Sequence, residues 1–215
     1  MRNGYVSRQC GATRRRAGLW MSVAVLAGLA AVSSAPAHAA SKITFKMVPS
    51  SASVSAGCLA TATADVTVQS QGEVERMTVV ARNLPPNTDF DLFVIQLAEA
   101  PFGLSWYQGD MESNGAGVAQ GTFLGRFNIE TFIVAPGTGP APVVHRTPIP
   151  DASQNPATGP VHTFHLGLWF NSPEDAADAG CLGAVTPFNG EHNAGVQALS
   201  TRQFPAGAGP LRKLK

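Results

Sequence analysis

From Ala60 to Gln69 the chain alternates without a break. Ala60, Ala62, Ala64, Val66 and Val68 fall on one side, and Thr61, Thr63, Asp65, Thr67 and Gln69 on the other. A period of two is the signature of a strand with one buried face, and it fits no helix. The same rhythm sets Ile43, Phe45 and Met47 against Lys42, Thr44 and Lys46. Glu73 to Arg82 is rich in Val and Thr and stops at Asn83-Leu-Pro-Pro-Asn87, a cluster that fixes backbone angles and removes donors. Asp89 to Leu97 places Phe90, Leu92 and Val94 opposite Asp91, Phe93 and Ile95; apolar residues on both faces mark a central strand.

Leu104–Gln108 and Val118–Ala135 read as a hairpin through Asn114-Gly115, because both turn residues tolerate positive φ. In the second run Phe123, Phe127, Ile129 and Ile133 share one parity, and the run is long enough that it must bend, with Gly125 the place for it. Val161–Phe170 puts Phe164, Leu166, Leu168 and Phe170 on one face, and Gly195–Thr201 forms the last strand. One short helix stands out after Ser172: Ser172 caps it, Pro173 suits its first position, Glu174 and Asp175 favour the N-terminal dipole, and Gly180 ends it. Short strands with turn signals and no long helices predict an all-β fold, an antiparallel β-sandwich in one domain spanning 40–204, with a barrel as the other closure. Pro136–Pro160 fits no element: 25 residues hold seven prolines, a functional loop or a strap over a sheet edge. Residues 205–215, rich in Gly and Pro at first and basic at the end, read as a frayed, flexible tail.

The first 39 residues read as an address. Five arginines and no acid occupy Met1–Arg16, an apolar run covers Ala17–Val32, and small residues close at Ala37-His38-Ala39. That order reads as a secretory signal peptide with the mature chain starting at Ala40; the 16-residue apolar run falls short of the roughly 20 needed to span a bilayer, which makes an uncleaved anchor the weaker alternative. Arg14-Arg15-Arg16 leaves both ordinary and twin-arginine export open. The expected location is extracellular or periplasmic, with no membrane span after cleavage. Removing the leader takes its five arginines, leaving 15 − 5 = 10 basic against 14 acidic residues, a formal charge of −4. Nucleic acid is a poor partner for such a chain. Cys10 leaves too, so Cys58 and Cys181 remain as a pair, and two cysteines in an exported chain read as one disulfide. Closing so long a loop contributes about 4 to 5 kcal/mol in the chain-entropy model. The competing use of the thiols as metal ligands has no close ligand spacing behind it.

Leu84-Pro-Pro-Asn-Thr88-Asp-Phe90-Asp-Leu92-Phe-Val94 is similar to the L-x-P-x-T-x-[YF]-x-[VL]-x-V corner of fibronectin type III modules. The resemblance covers about eleven residues and implies an immunoglobulin- or fibronectin III-like sandwich, with nothing about a partner. Val74–Gly195, with His165-Leu-Gly-Leu-Trp-Phe-Asn-Ser-Pro-Glu-Asp-Ala176, resembles a group of uncharacterised secreted bacterial proteins, which brings no activity with it.

Among chemistry-bearing residues, His145, His165 and His192 form a conceivable copper or zinc set on converging loops, without an H-x-H pair to anchor it. His162 shares parity with Phe164 and Leu166 and reads as a packed, hydrogen-bonded histidine. Asp110-Met-Glu112-Ser-Asn114-Gly115 opens like a calcium loop, but Gly121 stands where a bidentate Glu is required, so the segment reads as an acidic hairpin tip. Gly103-Leu-Ser105 lacks the rest of a nucleophile elbow, Glu191-His192 sits between glycines as a polar turn, and an Asp110–Glu130 carboxylate pair cannot be placed by spacing. Trp106 and Tyr107, beside Asp110, Glu112 and Asn114, must point to opposite faces of a strand. The outward ring is the best contact candidate, for a sugar or a protein partner. The expectation is a non-catalytic binding or surface-interaction module for an unknown glycan, cell-wall or protein partner, without cofactor. The alternative is a small copper- or zinc-binding or hydrolytic enzyme using the loop histidines.

Overall fold

The alternating run becomes β2 (Thr63–Ser70), held antiparallel between β1 (Lys42–Pro49) and β3 (Glu75–Arg82), with Phe45 opposite Val66 and Val66 opposite Val79. The structure, a computed structural model, describes residues 42–128, 131, 133–136, 158–183, 185–186 and 193–215. The remaining strands of the main sheet are β4 (Asp89–Ile95), β5 (Ser105–Glu112), β6 (Ala119–Gly125), β9 (His165–Phe170) and β10 (Gln197–Ser200). A separate two-stranded ribbon pairs β7 (Ile133–Pro136) with β8 (Thr158–Val161).

The main sheet runs β5-β4-β9-β10-β1-β2-β3-β6, every neighbour antiparallel. One strand carries it from one half to the other. Lys42 to Met47 of β1 pair with β2, whereas Val48 and Pro49 pair with Ser200 and Leu199 of β10. At the far end β5 and β6 meet through a hairpin and the bridge between Ser113 and Ala119, so the sheet is nearly closed on itself. The expected all-β antiparallel class is what forms, as one continuous eight-stranded sheet with β1 shared between its halves.

The two halves differ in what their outer faces do. In β2 and β3 the inward residues Ala64, Val66, Val68, Met77, Val79 and Ala81 are buried, and between them stand Asp65, Thr67, Arg76, Thr78 and Arg82. That face is solvated, with Asp65 paired to Lys46 and Arg82. In β4 and β9, by contrast, nearly every residue is buried on both faces. Phe90, Leu92, Val94, Leu166, Leu168 and Phe170 fill the main core, each large side chain contributing about 1.5 to 3 kcal/mol. Phe93, Ile95 and Trp169 fill a second cluster on the opposite face.

The helix after Ser172 is α2 (Pro173–Asp178), capped by the Ser172 hydroxyl accepting from the Asp175 N–H, and Gly180 follows it at φ +72°. Cys181 forms the expected disulfide with Cys58, Cα atoms 5.4 Å apart. This joins the connection before β2 to the end of α2. Val118–Ala135 breaks at Gly125, where β6 ends, and resumes as β7. The ends of the Pro-rich segment pair with each other, Pro136 with Thr158, so the intervening residues leave and return at one place. Residues 137–157 themselves lie outside the described residues, as do 1–41, where the leader is expected.

Three local expectations are corrected. A second short helix, α1 (Ser51–Ser55), precedes β2, because the hydroxyls of Ser50 and Ser53 both donate to the Gln197 carbonyl and so tie this segment across β10. The hairpin after β5 does not turn on positive φ at Asn114 and Gly115. Asn114 Oδ1 accepts from the Ala116 and Val118 N–H groups at 2.9 and 3.1 Å, and Gly117 supplies the left-handed residue at φ +69°. The chain end at 205–215 is packed instead of frayed: Leu211 and Leu214 are fully buried in the main core, and the Leu211 N–H donates to the Phe164 carbonyl at 3.2 Å. Among the described residues no helix is long and apolar enough to cross a membrane.

Candidate functional site

On the outer face of β4 and β9 the pleat stacks aromatic residues that a one-sided sheet would have replaced with polar ones. Among the described residues four rings touch edge to face in a row. Phe102 lies 5.0 Å from Trp169 at 80°, Trp169 lies 5.5 Å from Phe93 at 79°, and Phe93 lies 5.6 Å from Tyr107 at 63°. Such pairs add about 0.5 to 1.5 kcal/mol each beyond their buried area. Gly167 makes the row possible, since a Cβ there would collide with the Trp169 ring. Phe93 and Trp169 are buried, and Tyr107 at the end of the row is 51% exposed.

The Tyr107 end is acidic. Tyr107 sits on β5 opposite Phe93, and a bulge at Gln108 restores pairing so that Asp110 faces Asp91 and Glu112 faces Asp89. Directly opposed like charges repel, and part of this is taken up by the Tyr107 hydroxyl, which donates to Asp110 Oδ1. The Tyr107 hydroxyl is held well above the ordinary tyrosine pKa, by partial desolvation first, then by the bond to Asp110 and by the charges of Asp110 and Asp91. It therefore stays a neutral donor at any ordinary pH. Asp91 is buried within this face, and its charge acts on the Tyr107 hydroxyl.

At the other end the row opens into a recess of about 390 Å³ between the Ala100–Gly103 turn, α1 and the strand β10. Pro101, Phe102, Val185 and Val196 give it an apolar lining, with Gln197 and Thr186 as its principal polar groups; Trp169, which has no exposed surface of its own, stands at its wall. Trp169 Nε1 donates to Thr186 Oγ1 at 3.2 Å, and Gln197 Nε2 donates to the Ala98 carbonyl at 3.3 Å.

Comparison with protein-family models, with curated proteins and with solved structures finds no match. The site must speak through its own geometry.

Of the two candidate rings on β5, Tyr107 points outward and Trp106 inward, where its half-buried ring packs on the main core and its Nε1 donates to Gln108 Oε1 at 3.4 Å. Asp110 and Glu112 are exposed beside Tyr107, and Asn114 forms the hairpin turn beyond them. Of the histidine set only His165 is among the described residues. His145 and His192 lie outside them, as do Glu130 and Glu191. His165 is fully buried, with Nδ1 2.9 Å from Thr201 Oγ1 and Nε2 3.0 Å from the Ala206 carbonyl. Burial holds its pKa below the ordinary histidine value, against hydrogen bonds at Ala206, Pro205 and Thr201 that push the other way. Taking a metal there would cost one of these two bonds. Among the described residues no three His, Cys, Asp or Glu side chains are grouped to hold a metal ion. His162 is exposed, stacked on Phe164 at 4.9 Å with Nδ1 3.0 Å from the Thr131 carbonyl.

The row and the recess are what sequence reasoning missed. Phe93, Ile95 and Trp169 share the parity opposite to the core residues of their strands, and that signal was visible. Phe102 and Gln197 join them only through tertiary folding.

Proposed function

We propose that this chain is an exported, non-catalytic binding module whose contact surface is the outer face of β4 and β5 at Tyr107, and whose partner is an extracellular glycan or cell-wall polymer. One observation supports the reading above others: Tyr107 stands half exposed at the end of an aromatic row whose inner rings, Phe93 and Trp169, are buried. Its ring is braced by Phe93 and its hydroxyl held by Asp110, so it gives up little side-chain freedom on binding. An exposed ring flanked by the carboxylates of Asp110 and Glu112 suits a sugar, whose apolar face stacks while its hydroxyls donate to the acids. The disulfide and the absence, among the described residues, of a membrane-spanning helix are compatible with an extracellular setting.

A screen of glycans and cell-wall polymers with the mature chain, repeated with Tyr107→Ala and Trp106→Ala, tests this. The expected result is a hit weakened at least tenfold by Tyr107→Ala. Trp106→Ala is the counter-test: a hit that depends on Trp106 and not on Tyr107, or one indifferent to both, defeats the proposal. A hit confined to a protein partner replaces the glycan with another class.

A further inference from the structure

The recess at the opposite end of the aromatic row is built for a ligand of a different kind. It lies beside a turn in which Phe102 adopts φ +61°, a left-handed conformation that is costly for a bulky residue. The turn enforces it: Phe102 N–H donates to the Glu99 carbonyl at 2.8 Å, Leu97 N–H to the Phe102 carbonyl at 2.9 Å, and Gly103 N–H to the Pro101 carbonyl at 2.7 Å. The outcome is a phenyl ring set edge-on to Trp169 at the recess wall. Gln197 is the second, independent observation. Its side chain is 4% exposed and lines the recess, its Nε2 donates to the Ala98 carbonyl, and among the described residues no donor reaches its Oε1. An amide oxygen on a recess-lining side chain that has no protein donor is left to water or to a ligand.

We infer that this recess binds a small neutral ring compound carrying one hydrogen-bond donor, a phenol or an indole, whose O–H or N–H donates to Gln197 Oε1. Size sets the upper limit, since about 390 Å³ is at the low end of ligand cavities and holds one or two fused rings, not an oligomer. Charge sets the class: among the described residues lining the recess none is ionisable, so a charged ligand would meet no counter-ion from them. Aromatic walls set the shape, because an entering ring meets Phe102 and Trp169 in the lining. A free sugar fits poorly, with many hydroxyls against an apolar lining.

The test is NMR titration of the mature, disulfide-intact chain with indole, N-methylindole, phenol and N-acetyl-tryptophanamide, following the Gln197 side-chain amide and the Trp169 indole N–H. Indole is expected to give saturable shifts at both by about 10 mM, an affinity suited to so few atoms. N-methylindole, which has no donor, is expected to bind about tenfold more weakly. Val185→Trp fills the recess from an exposed rim position and is expected to abolish the shifts. Gln197→Met is expected to make indole and N-methylindole bind alike. Tighter binding by N-acetyl-tryptophanamide than by free indole supports the site and assigns its source to a protein side chain. Absence of saturation, equal affinity for indole and N-methylindole in the parent chain, or shifts that persist in Val185→Trp overturn the inference. The Tyr107 surface is tested with glycans and read at Tyr107, the recess with indole and read at Gln197 and Trp169, so either can fail while the other holds.

Discussion

Gly167→Ala should be among the most damaging single-methyl additions in this protein. Gly167 lies in β9 between β4 and β10, opposite Phe93 on one side and Ser200 on the other, so the backbone has no direction in which to shift. The added carbon falls against the six-membered ring of Trp169 and 2.7 Å from Gln197 Nε2. Trp169 cannot swing away, because Phe93 and Phe102 brace it at 5.5 and 5.0 Å and its Nε1 is bonded to Thr186. Overpacking of this kind costs about 1 to 3 kcal/mol, and a braced site belongs at the upper end. For a unit of this size each kcal/mol moves Tm by about 2 to 4 °C, giving a drop of roughly 6 to 12 °C. Gly207→Ala is the control: a Cβ there meets nothing and the φ is unremarkable, so the entropy of the unfolded chain makes the change neutral or mildly stabilising, by up to about 1 kcal/mol. Calorimetry of both variants, with near-ultraviolet circular dichroism to report the Trp169 environment, decides the matter. Trp169→Leu in the Gly167→Ala background should recover part of the loss as a coupling of about 1 kcal/mol or more. A Gly167→Ala protein melting within about 1 °C of the parent would refute the packing of the outer face.

Leu214→Ala should destabilise by about 2 to 5 kcal/mol in urea unfolding, since Leu214 is fully buried; a frayed tail would give no change beyond about 0.5 kcal/mol. Stability should decline as pH falls from about 7 to 5, because the unfolded chain protonates His165 near its ordinary value while the folded chain, with its pKa lowered, resists; the slope reaches at most about 1.4 kcal/mol per pH unit and disappears in His165→Gln. Asp65, whose pKa is lowered chiefly by its hydrogen bond to Lys46, loses its contribution only at more acid pH, so the two effects separate. Metal analysis of the mature chain should find no stoichiometric copper or zinc; metal that is present and lost in His165→Ala would restore the loop-histidine enzyme as the better reading.

Much of the fold was legible because burial on one face leaves a mark every second residue. Ala62 to Val68 shows it, and so do the Cys58–Cys181 pair and the Ser172-Pro173 helix start, whose physics is local or compositional. What escaped depends on distant partners. Ser51–Ser55 has no apolar period, and its helix is held by hydroxyls on the carbonyls of β10. Leu211 and Leu214 sit in a Gly-, Pro- and Lys-rich end that looks unstructured until Gly209 is seen packed on the Phe164 carbonyl. The choice between Trp106 and Tyr107 was posed correctly by parity but could not be made without knowing which face of β5 meets the core.

The most direct test of the proposed contact surface is chemical-shift mapping of residues 40–215 titrated with soluble cell-wall polymer fragments. Shifts centred on Tyr107, Asp110, Glu112 and Phe93, with Lys46, Thr67 and Thr78 on the solvated half of the sheet unmoved, are what the account predicts. Perturbations centred on that other half, with Tyr107 silent, would contradict it.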